Sequence, residues 1–95
     1  MVCYVYILAS RPLGAIYIGR TADLRRRVAQ HRNGAVTAHT KAYRIHTLVW
    51  FEAHDDPGEA ALREHRLKRW RRAWKTDLIA QDNPQWQDIS AWIPD

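Results

Sequence analysis

A single cysteine, Cys3, is all the thiol this chain carries in 95 residues, which excludes an internal disulfide and removes any argument for an oxidising compartment. No Cys/His spacing suited to a bound metal occurs. No apolar run is long enough to cross a membrane. The opening stretch VCYVYILA is apolar but short and lacks a basic leader, so neither a signal peptide nor an anchor is expected, and the expected location is the cytoplasm. No internal repeat and no low-complexity linker divides the chain. Positive charge is also missing from one place: all 15 Lys and Arg residues lie at or before Lys75, and from Asp77 onward every charge is an aspartate.

What is present fits one folded domain, spanning residues 1–95. The length allows one modest core, and a hydrophobic share of 46% with five tryptophans argues against disorder. The chain is formally +5, with a sequence pI of about 9.9, which suits a polyanionic partner. Segregation of the charge makes the first three quarters more basic than the total implies. Nucleic acid is the favoured polyanion. A membrane surface is not expected, because no long amphipathic helix with a lysine-rich rim stands out.

Along the chain, Cys3 to Ala9 reads as a β-strand with Tyr4 and Tyr6 on one face and Val5 and Ile7 on the other. Ser10 to Gly14 forms a turn, and Ala15 to Gly19 a second strand that pairs with the first as an antiparallel hairpin. Thr21 is expected to cap a helix from about Ala22, with Asp23 in its first turn and Asn33-Gly34 closing it. The stretch from Ala35 to Ile45 is polar and reads as a loop. Thr47 to Ala53 is expected to be a third, more central strand. A helix follows from Asp55-Asp56-Pro57 to about Arg69 or Trp70, then another over roughly Arg72 to Gln81. Trp86, Ile89, Trp92 and Ile93 recur at helical spacing in a short closing piece.

Two charged residues break the amphipathic pattern. On the first helix, positions three and four apart place Arg27 with Leu24, Val28 and His31, while Arg25, Arg26 and Arg32 point elsewhere. A guanidinium set among apolar neighbours is costly unless it meets a carboxylate or a phosphate, so Arg27 reads as held for use. On the second helix, Glu64 shares the inward side of Ala60 and Leu67. Pairing of Glu64 with a neighbouring arginine is the plainer explanation, and such a pair is worth only a few tenths of a kcal/mol.

Tyr4-Val5-Tyr6, then Tyr17-Ile18-Gly19, then Arg27 eight residues past the glycine with His31 one turn on, resembles the GIY-YIG nuclease superfamily. The later REHRLKRW containing Glu64 and the closing Asn83-Pro84-Gln85-Trp86 are similar to its small, single-domain bacterial members. One departure is Tyr4, which stands where the first motif has glycine and bears on backbone packing more than on chemistry. The resemblance implies an α+β fold, a small three-stranded antiparallel sheet flanked by helices. It also implies hydrolysis of phosphodiester bonds in DNA with one divalent metal, Mg²⁺ or Mn²⁺, bound by Glu64. Arg27 would grip a non-bridging phosphate oxygen through paired N–H bonds. Tyr17, or with less support Tyr6, would orient or deprotonate the attacking water, and His31 would assist or hydrogen-bond a tyrosine. A phenol is a poor base unless positive charge lies near it.

Lys41, Arg44, Lys68 and Arg69 are candidate phosphate contacts, which solvated charge would explain equally well. Asn83 is expected to cap or turn the chain before Pro84. Duplex, single-stranded and branched DNA all stay open as substrates, RNA is a further candidate, and the oligomeric state is open. The rival reading is a non-catalytic nucleic-acid-binding module of the same fold, which would have no use for Arg27 and Glu64 together.

Overall fold

The computed structural model describes residues 2–34 and 43–94. These described residues form three strands, β1 (Cys3–Ala9), β2 (Ile16–Thr21) and β3 (Thr47–His54), and three helices, α1 (Leu24–Arg32), α2 (Pro57–Arg69) and α3 (Arg72–Asp82), ending in a 3₁₀ turn at Ser90–Trp92. The strands form one antiparallel sheet in the order β2-β1-β3. The expected α+β architecture is present, with one correction. β1 is the central strand and β3 lies at an edge. Val5 through Ala9 are fully buried, as a strand covered on both faces must be.

The sheet divides two cores. Cys3, Val5, Ile7 and Ala9 pack on one face with Ala60 and Leu67 of α2 and Ile79 of α3. Tyr6 and Leu8 pack on the other with Leu24 and Val28 of α1 and with Ile89 and Ile93 of the C-terminal segment. Pleating of β1 therefore assigns α1 to the tyrosine face and α2 to the opposite one.

Local chemistry sets the element ends. Asp23, rather than Thr21, caps α1 by accepting from the Arg26 amide at 3.2 Å. Thr21 instead ends β2, where its hydroxyl accepts from the Asp23 amide at 3.1 Å. Both residues are good caps, and the strand pairing of Thr21 with Tyr4 removes it from the competition. Gly34 turns the chain out of α1 at a φ of 70°. Pro57 opens α2 behind the Asp56 cap, as expected.

The C-terminal segment wraps the outer edge of β3. The Ile89 amide donates to the Leu48 carbonyl, and Asn83 Nδ2 donates to the Val49 carbonyl at 3.1 Å. Asn83 also bonds Gln87 in both directions, at 2.8 and 3.0 Å, so this buried amide is a structural clasp. Arg25 and Arg32 fasten the segment from α1, through the Ile93 carbonyl and through Asp88 with Ser90. Trp92, at helical spacing from Ile89 in the sequence, stays exposed because a 3₁₀ turn does not keep the α-helical spacing.

Candidate active site

Tyr6 of β1 lies directly across from Gly19 of β2. A β-carbon on Gly19 would fall 2.5 Å from the Tyr6 hydroxyl and 2.6 Å from its Cζ. The missing side chain is thus what lets the phenol lie across the neighbouring strand. There the Tyr6 hydroxyl comes 3.3 Å from His31 Nε2 of α1. Tyr17, half-buried on β2, completes the group, with its ring centroid 5.2 Å from His31 and 6.3 Å from Tyr6.

Burial pushes the Tyr6 phenol well above its ordinary range, and the neighbouring Tyr17 adds to the rise. Arg27 pulls the other way by its charge and by a hydrogen bond, and Glu64 raises it again. Tyr6 therefore feels Arg27 of α1 and Glu64 of α2 at once, although the two helices lie on opposite faces. Burial, and then the charge of Arg27, hold the His31 imidazole below its ordinary value. Both partners are neutral near neutral pH, so a single proton, on the hydroxyl or on Nε2, bridges them. The buried His31 Nδ1 has no hydrogen-bond partner among the described residues.

The two faces meet at β2. Tyr17 and Gly19 point toward α1, while Ile18 and Arg20, on the alternate pleat positions, point toward α2. Arg20 Nε donates to Glu64 Oε1 at 3.1 Å, and Lys68 Nζ, one helical turn on, sits 2.9 Å from Oε2. Arg20 is a site residue that the sequence does not single out. Its position two past Ile18 on a strand was the available signal, and its partner 44 residues away was not.

Among the described residues no three His, Cys, Asp or Glu side chains come together, so a cation held here would take Glu64 as its one protein carboxylate. That donor set fits Mg²⁺ or Mn²⁺, hard ions that complete their shell with water and substrate phosphate. Glu64 retains 16% side-chain exposure, and its present partners are two cations that an ion would have to displace.

Arg27, partly buried, also lines an open depression of about 450 Å³ with Thr21, Asp23, Arg26 and Gln30. Lys68 and Arg69 are exposed on α2, the first of them on Glu64. Arg44 is exposed in a left-handed turn ahead of β3, the edge strand on the other side of β1 from β2. Lys41 lies outside the described residues. No helix among the described residues is long and apolar enough to cross a membrane.

Residues 2–77 match the family model of the GIY-YIG catalytic domain. A UPF0213 protein of Staphylococcus saprophyticus is 35% identical over 78 residues, covering 82% of this chain and 94% of that one. A UPF0213 protein of Halobacterium salinarum is 37% identical over 76 residues, covering 80% and 97%. The solution NMR structure of a UPF0213 protein from Bacillus halodurans superposes with a TM-score of 0.58 at 30% identity, covering 93% of each chain.

Proposed function

The chain belongs to the GIY-YIG family, and from that premise we propose that it is a divalent-metal-dependent endonuclease that hydrolyses phosphodiester bonds in DNA. The observation that carries the proposal is the Tyr6 phenol, seated across Gly19, bonded to His31 and acted on by both Arg27 and Glu64. A core tyrosine needs no such company.

Each residue has a task the geometry allows. Arg27 binds a non-bridging phosphate oxygen and stabilises the charge that grows on it during attack. Tyr17, the more accessible phenol, orients the attacking water. Tyr6 is too deeply buried to lose its proton readily, so it acts as a positioning residue, fixed by His31 and Gly19. His31 keeps the phenol oriented through the hydrogen bond between its Nε2 and the Tyr6 hydroxyl. Glu64 would hold Mg²⁺ or Mn²⁺, which supplies Lewis-acid stabilisation of phosphate charge when bound. Lys68 and Arg20, the cations that flank Glu64, would contact neighbouring phosphates, as would Arg69. Lys41 and Arg44 are more distant candidates for contact along the backbone.

A second reading, a binding module without catalysis, draws on one observation: Glu64 already forms ion pairs with Arg20 and Lys68. A Mg²⁺-dependent nicking assay on supercoiled DNA separates the two readings. Wild-type protein is expected to nick, and Glu64→Ala and Arg27→Ala to lose cleavage by at least two orders of magnitude while Glu64→Ala still binds. Equal cleavage by wild type and Glu64→Ala, or binding with no cleavage by the wild type, overturns the nuclease.

A further inference from the structure

The end of α2 and the start of α3 present an aromatic surface that the tyrosine site does not use. Trp74 leaves 51% of its surface in solvent, an unusual exposure for the largest apolar side chain. It is also held in place. Its ring stands edge-on to Trp70 at 6.2 Å and 87°, and Trp70 is packed against the core of the α2 face. The Arg71 guanidinium lies 5.5 Å from the Trp74 ring centroid. The first turn of α3 is tethered twice, by Arg72 to the carbonyls of Leu13 and Gly14 and by Lys75 Nζ to the Lys68 carbonyl at 3.3 Å.

Charge identifies the occupant. Residues 63–75 hold seven Lys and Arg against one acid, Glu64. A second copy of this chain is a poor partner, because a two-fold contact would set this cationic surface against itself. A rigid, exposed indole among guanidinium and ammonium groups matches what single-stranded nucleic acid requires, a flat π-face for a base and cations for the flanking phosphates. A duplex keeps its bases stacked on one another and offers phosphates and base edges, with no open π-face for the indole along its length.

We propose that Trp74 is a stacking platform for an unpaired nucleobase, with Arg71 and Lys75 on the adjoining phosphates. This extends the nuclease reading by naming a feature of its substrate, a single-stranded segment beside the scissile bond. Lys68 links the two places: its ammonium is on Glu64 and its carbonyl accepts from Lys75. Trp70 lies six residues past Glu64, about 9 Å along the helix axis.

The test is binding in EDTA, where cleavage does not interfere, by fluorescence anisotropy with an oligodeoxythymidine strand and with a mixed-sequence duplex of equal length. Trp74→Leu is expected to weaken single-strand binding about tenfold and duplex binding less than twofold, while Trp74→Phe keeps most of the single-strand affinity. Arg71→Ala should lower the salt slope by about one for the single strand. Equal losses on both ligands, no loss on either, or equal effects of the Leu and Phe replacements overturn the platform. So does a dimer of the wild type, seen by light scattering, that Trp74→Leu dissolves. Because these measurements need no catalysis, an inactive wild type would defeat the nuclease reading and leave this result to stand by itself.

Discussion

The Tyr6 hydroxyl occupies space that a β-carbon on Gly19 would need, with only 2.5 Å between the two positions. The contact joins adjacent strands, and it determines where the phenol meets His31. Gly19→Ala must therefore shift the Tyr6 ring, since neither paired backbone can yield easily in the middle of a ladder. The expected cost is about 1–3 kcal/mol, the range for overfilling a packed site. Urea denaturation of Gly19→Ala, Tyr6→Ala and the double variant checks it. The double variant should be more stable than the sum of the singles implies, because removing the ring removes most of the clash.

A pH dependence follows from the same pair. Burial and Arg27 lower the proton affinity of His31 in the folded state. The unfolded chain then binds more protons between its ordinary value, about 6.5, and the lower folded one. The stability from keeping His31 neutral is intact above about pH 6.5 and is lost as pH falls through that window. Tyr6 is the opposite case. Its raised folded value contributes stability that is present below about pH 10 and lost as pH climbs beyond it. Urea midpoints across both ranges should show these two limbs, with His31→Asn flattening the acidic one and Tyr6→Phe the alkaline one.

Much of this arrangement was legible because each element carries its own punctuation. Alternation marked β1 and the hairpin, and Pro57 with Asp56 marked the start of α2. The helical repeat placed Arg27 with Leu24, Val28 and His31. The order of the strands was misread. TLVWFEA and CYVYILA are both apolar, but only the first contains a glutamate, and a strand covered on both faces has no place for one. The sequence also could not reveal how α1 and α2, on opposite faces, both come to act on Tyr6. That depends on Gly19 leaving a gap and on Arg20 sharing the pleat face of Ile18, facts of pairing rather than of local pattern.

Asn83 illustrates a residue whose structural role is complete without catalysis. Its side chain makes three hydrogen bonds, to Val49 and in both directions to Gln87, inside a buried clasp. Asn83→Ala leaves those backbone groups without that partner, at an expected cost of about 2 kcal/mol. Thermal unfolding should register the loss. Below the lowered transition the variant should nick DNA at the wild-type rate, since the side-chain hydrogen bonds of Asn83 run to Val49 and Gln87 and not to the tyrosine group.

Arg20 provides the most direct probe of Glu64. The carboxylate is flanked by two cations, Arg20 at 3.1 Å and Lys68 at 2.9 Å, and a divalent ion must displace them or bind against their repulsion. Arg20→Ala removes one competitor and one repelling charge without touching the ligand atoms. The Arg20 side chain is 41% exposed, so solvent weakens the pair and the gain is modest, about threefold to tenfold in Mn²⁺ affinity without nucleic acid. Titration of Mn²⁺ by electron paramagnetic resonance reads this without any cleavage. Glu64→Gln should lose the site, and Lys68→Ala should resemble Arg20→Ala, since it relieves the other oxygen. If the Arg20 and Lys68 variants bind Mn²⁺ no better than the wild type, the ion does not compete for this carboxylate, and the assignment of Glu64 as its ligand fails.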